Sequence, residues 1–158
     1  LNSLCSNILT VSGDKETIAM IEQACDDERL LEALCPYGDR GVSGEAFNIE
    51  CSKPDLEDGD WWLHITFDTD NVPPIKAYEA AIIRLGVGLS SSYYNASHIF
   101  VGLYDLDNTI TNMVDRRFDI DYNCNQWFEG VPSDLIFEFD LEDEYQYFLE
   151  CRKEELVP

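Results

Sequence analysis

Seven residues, Trp61 to Phe67, constrain the fold more than any other stretch of the chain. Trp61, Leu63, Ile65 and Phe67 project to one side of an extended backbone, and Trp62, His64, Thr66 and then Asp68 to the other. Such a segment has one apolar and one polar face, the pattern of an antiparallel sheet covered on one side. Asn7 to Ser12 repeats it, with Leu9 and Val11 opposed to Ile8, Thr10 and Ser12, and stops at Gly13-Asp14. From Lys15 the period becomes helical: Ile18, Met20, Ile21, Ala24 and Cys25 form a stripe, with Glu16, Glu22 and Asp26 outside it. Asp14 is the expected N-cap.

Glu28 to Leu34 reads as a second short helical piece ended by Pro36 and Gly38, and Gly41 to Gly44 as a loop. Ala46 to Cys51 reads as a strand, and Ser52 to Asp60 as a turn. Pro73-Pro74 starts a helix whose apolar face is Ile75, Tyr78, Ala81, Ile82 and Leu85, stopped by Gly86 and Gly88. Leu89 to Tyr94 and His98 to Tyr104 are extended, Asp105 to Asn108 is a turn, and Thr109 to Asp121 is read as a strand. Pro132-Ser133-Asp134 opens a helical tail to about Lys153, broken near Asp140.

The order β, α, β, β, α, β predicts an α+β fold. It is the ferredoxin-like split βαβ arrangement, an antiparallel sheet with two helices on one face. Residues 1–105 would form that domain, and residues 106–158 an acidic C-terminal helical extension packed on it.

The charge is unusual for a chain that can build a core. There are 32 acids and 10 bases, a net of −22, beside 45% apolar residues. Sixteen acids and four bases lie within the first 70 residues, and sixteen and six beyond, so the excess is not a detachable tail. Such a field repels nucleic acid and membrane surfaces and attracts basic ones. Solubility or a halophilic source are the plain alternatives; the abundance of large apolar residues argues against the second. No run suits a transmembrane helix, and no secretory leader is read at the start.

Chemistry-bearing clusters are sparse. Cys5, Cys25, Cys35, Cys51, Cys124 and Cys151 fall in no CxxC spacing, and His64 and His98 are isolated, so no zinc site, cofactor or catalytic residue is assigned. Free thiols in a reducing cytoplasm are expected. Two runs, Asp105-x-Asp107-Asn108 and Asp119-x-Asp121-x-Asn123, begin like calcium loops but lack the later Gly and Glu. Trp61-Trp62 could stack bases, but the only Lys or Arg between residues 61 and 83 is Lys76.

Cys5-Ser6-Asn7-x-Leu9-x-Val11-x-Gly13 followed at once by an amphipathic helix resembles the start of the Api92-like family with its ferredoxin-like domain. Asp70-Asn71-Val72-Pro73-Pro74-Ile75, the strand His98-Ile99-Phe100-Val101-Gly102 and the tail from Val131-Pro132-Ser133-Asp134 are similar to further stretches of that family. Phe47-Asn48-Ile49-Glu50-Cys51 departs from it, since relatives carry a Trp-Gly-Thr-Lys-Trp-type segment there. The resemblance implies a ferredoxin-like fold and a phage or plasmid origin, and no catalytic residue.

Phe118 to Cys151 carries ten acids and no Lys or Arg, interleaved with eight aromatics counted from Tyr122 to Phe148. On one helix Asp134, Glu138 and Glu142 would stand at i, i+4 and i+8 as a line of like charge, which costs a few tenths of a kcal/mol per pair. A basic partner would relieve that repulsion. The expected function is non-enzymatic. The protein would imitate DNA and inhibit a basic nucleic-acid-binding host protein, such as a defence nuclease, restriction enzyme or CRISPR complex, in the host cytoplasm. Its contact residues would be Asp134, Glu138, Glu142, Asp143 and Glu144, with Asp55, Glu57, Asp58 and Asp60 as a second patch. The alternatives are a metal-dependent hydrolase built on Asp68 and Asp70, and a structural protein that self-associates through aromatic surfaces.

Overall fold

The computed structural model describes residues 3–36, 45–106 and 112–156. The loop read at Gly41 to Gly44, and Asp107 and Asn108 of the turn read at Asp105 to Asn108, lie outside them; Asp105 and Leu106 of that turn are instead the end of a strand. The elements are β1 (Leu4–Gly13), α1 (Lys15–Asp26), α2 (Leu30–Leu34), β2 (Ala46–Cys51), β3 (Asp55–Glu57), β4 (Asp60–Asp70), α3 (Ile75–Leu85), β5 (Gly88–Asn95), β6 (Phe100–Leu106), β7 (Met113–Asp119), α4 (Ser133–Glu138) and α5 (Leu141–Leu156). Among the described residues, one open sheet of seven strands runs in the order β2-β4-β1-β5-β6-β7, with β3 also on β4 and every pairing antiparallel.

The alternation in β1 and β4 sets the two faces. Leu9 pairs with Ile65 and Val11 with Leu63, and all four are buried. Around them α1, α2 and α3 contribute Ile18, Ile21, Leu31, Leu34, Tyr78 and Ala81 to one cluster. The expected pair of helices on this face is therefore three. Met20 departs from the stripe expected of α1 and is 41% exposed; it lies about 200° around the helix from Ile18. Asp14 caps α1 as expected, its carboxylate accepting from the Thr17 backbone N–H at 2.7 Å.

That hydrogen bond holds the Asp14 carboxyl below its ordinary pKa. A carboxyl whose folded-state pKa is lowered stabilises the fold above its unfolded pKa, and the contribution disappears as pH falls through the folded value. Asp14→Ala is therefore expected to lower the thermal midpoint at neutral pH. Melts of the two proteins should converge as pH falls through the folded value.

Ser52 to Asp60 is not a turn throughout. Its centre is β3, which pairs with the start of β4 through Asp58-Gly59, two residues at φ 53° and 84°. Positive φ at both central positions matches the twist of a tight hairpin, and Gly adopts it without steric cost. β2 pairs with the later part of β4 and carries a register shift between Phe47 and Glu50.

The C-terminal segment covers the opposite face over β5 and β6. Tyr94, Val101, Leu103 and Phe118 point to that side and pack with Tyr122, Trp127, Leu135, Leu141, Tyr145 and Phe148. The aromatic rings interlock, with Tyr122 and Trp127 edge to face at 5.4 Å and Tyr94 5.8 Å from Phe139. β7 belongs to the same sheet as β1, so Met113–Asp119 of the strand read at Thr109 to Asp121 extends the sheet beyond β6; Thr109, Ile110 and Thr111 lie outside the described residues. Among the described residues, no helix is long and apolar enough to cross a membrane.

Candidate functional site

The helical tail does not form one line of charge. It breaks at Asp140, whose φ is 50°, leaving Asp134 and Glu138 on α4 and Glu142, Asp143 and Glu144 in the first turn of α5. The expected i, i+4, i+8 row on one helix is thereby corrected. Acids in a first turn face the positive end of the helix dipole, which gives these three a local stabilising role as well.

The two carboxylates of α4 border a cleft of about 230 Å³ between that helix and the open part of the sheet face. Leu135 is buried beneath α4 and fixes its orientation. Glu138 accepts from the Ser92 hydroxyl at 2.7 Å, which ties α4 to β5. Ser90 and Thr10 stand opposite one another across β1 and β5, and Asp105 reaches the cleft from β6. Ile8, Leu103 and Pro132 supply apolar walls. The arrangement suits a side chain with an apolar stem and a cationic head, the form of Lys or Arg. Charge composition pointed to Asp134 and Glu138. It did not point to Asp105, Ser90 or Thr10, which only the strand order brings there.

Asp55, Glu57, Asp58 and Asp60 gather on the β3–β4 hairpin, and all four are exposed. This patch lies at the edge of the sheet where β3 pairs with β4, on a different element from α4 and α5. Among the described residues no acidic side chain is buried: the buried polar residues are Ser3, Asn7, Thr69, Ser91, Ser92 and Asn95. Phe128, Phe137 and Tyr147 are 49%, 85% and 66% exposed within the acidic C-terminal layer.

The other sequence candidates do not line the cleft. His64 is exposed, with Nδ1 3.2 Å from the Thr10 hydroxyl. Asp68 accepts from the Asn48 side chain at 2.8 Å, while Thr69 between Asp68 and Asp70 is buried in the Asn7 network. Among the described residues no group of three His, Cys, Asp or Glu side chains is placed to hold a metal. None of the six cysteines forms a disulfide; burial raises the Cys5 thiol to about 12. A larger hollow of about 750 Å³ between the α1–α2 region and β2 shares no residue with the cleft.

No protein family, no curated protein and no solved structure matches the chain.

Proposed function

We propose that this is a non-enzymatic acidic binding protein that occupies the nucleic-acid site of a basic partner by imitating a phosphate backbone. One observation carries the reading. Nine carboxylates between Asp121 and Glu150, with no Lys or Arg among them, sit on a layer held to the sheet by an interlocked aromatic core. A duplex presents about one charge per 1.7 Å of axis. A rigid display of acids reproduces part of that field without the entropy cost of ordering a flexible tail. Exposed Phe137 and Tyr147 add contact area of the kind that dominates interface energy, and the cleft beside Glu138 would take one cationic side chain of the partner.

The strand order β2-β4-β1-β5, with α1 and α3 as crossovers, supports the ferredoxin-like split βαβ reading of that part of the sheet. The Api92-like resemblance, by itself, is what supports a phage or plasmid protein acting in a host cytoplasm. The partner would then be a defence nuclease, a restriction enzyme or a CRISPR complex. Immobilised protein incubated with bacterial lysate should retain basic nucleic-acid-binding proteins at low salt and release them as ionic strength rises. Recovery of only neutral or acidic partners, held equally at all salt concentrations, would overturn the reading.

A further inference from the structure

On the helix-covered face of the sheet, the start of α3 and the loop before it stand off from β5, β6 and β7. The hollow between them holds about 400 Å³, within the ~300–1,000 Å³ of small-molecule sites. Tyr93 and Phe100 form its floor, packed edge to face with ring centroids 6.1 Å apart. Val72, Pro73 and Ile75 form an apolar wall.

The polar groups of this hollow are balanced in sign. Lys76 and Glu79 come from α3, Asp115 and Arg117 from β7. Asp115 is held in place by the hydroxyl of Tyr93, which donates to it across the intervening strand. Tyr93 reaches that far because Gly102, its neighbour on β6, has no side chain. The Arg117 guanidinium lies 3.8 Å from the Phe100 ring centroid and is ion-paired with Asp119, its Nε and one terminal nitrogen each 3.1 Å from the same carboxylate oxygen. Asp115 and Arg117 are two residues apart on one strand face, about 7 Å along the backbone.

We propose that this hollow binds a free α-amino acid with a large apolar side chain. A purely anionic ligand would meet Asp115 and Glu79, and a purely cationic one Lys76 and Arg117. A zwitterion sets its ammonium against Asp115 and its carboxylate against Arg117, and its side chain covers the aromatic floor. The site lies on the face of the sheet opposite the acidic layer and shares no residue with that layer's core.

Calorimetric titration and thermal melts with L-phenylalanine and L-leucine test this directly. Saturable binding and a raised melting temperature are expected. N-acetyl-L-phenylalanine, which lacks the ammonium, and L-phenylalaninamide, which lacks the carboxylate, should each bind at least tenfold more weakly. Asp115→Asn and Arg117→Gln should each weaken L-phenylalanine by a similar factor with unchanged circular dichroism. Absence of saturable binding by either free amino acid overturns the proposal, as does equal binding of the blocked analogues, a comparison that needs no variant.

Discussion

Gly102→Ala is expected to destabilise the protein by about 3 kcal/mol, the upper part of the range for forcing extra volume into a packed site. A Cβ at this position would run into the end of the Tyr93 ring and stand 2.6 Å from the Arg116 carbonyl oxygen. Neither neighbour can yield cheaply. Tyr93 is 1% exposed, packed against Phe100 and hydrogen-bonded to Asp115. The Arg116 carbonyl belongs to the backbone of β7, which pairs with β6 from Met113 to Asp119. Denaturant unfolding measures the loss. Shortening the ring in a Tyr93→Leu, Gly102→Ala double variant should relieve part of the clash, so its loss should be smaller than the sum of the two singles. A Gly102→Ala protein within about 0.5 kcal/mol of the parent would mean that Tyr93 does not lie across β6.

Neutralising Asp134, Glu138, Glu142, Asp143 and Glu144 together, as Asn or Gln, is expected to weaken partner binding at low salt on the order of 100-fold. The dependence of affinity on salt should flatten with it, because fewer charges remain to be screened. Stability should change little, since two effects oppose. Removing Glu142, Asp143 and Glu144 loses a favourable interaction with the start of α5, and removing five like charges relieves repulsion. Melting curves beside binding curves at several salt concentrations separate the two effects. Unchanged affinity in a folded five-site variant would move the binding surface away from α4 and α5.

The sheet was legible where one physical signal dominated. β1 and β4 alternate cleanly, so their faces could be assigned residue by residue, and α3 lies between the paired prolines and Gly86 as expected. β3 was hidden because Asp55-Leu56-Glu57 is exposed throughout and has no buried face to reveal a period. It is a strand because the Asp58-Gly59 turn folds it back onto β4. The layer over β5 and β6 was only half legible. The break at Asp140 could be read, but Tyr94 and Val101 gave no sign that their side of the sheet is covered by Leu135 and Leu141. The candidate site divides in the same way. Asp134 and Glu138 follow from charge, whereas Asp105 and Thr10 are far apart in sequence and meet at the cleft only through the pairing of β1 with β5 and β5 with β6.

Displacement of nucleic acid from a captured partner tests the central claim most directly. The partner, loaded with fluorescent duplex DNA, is titrated with this protein over a series of salt concentrations. Competitive release of the duplex is predicted, with an apparent affinity that falls steadily as salt rises and a weaker fall for the five-site variant. A partner that binds this protein and the duplex together in one ternary complex, with neither displaced, would contradict the account.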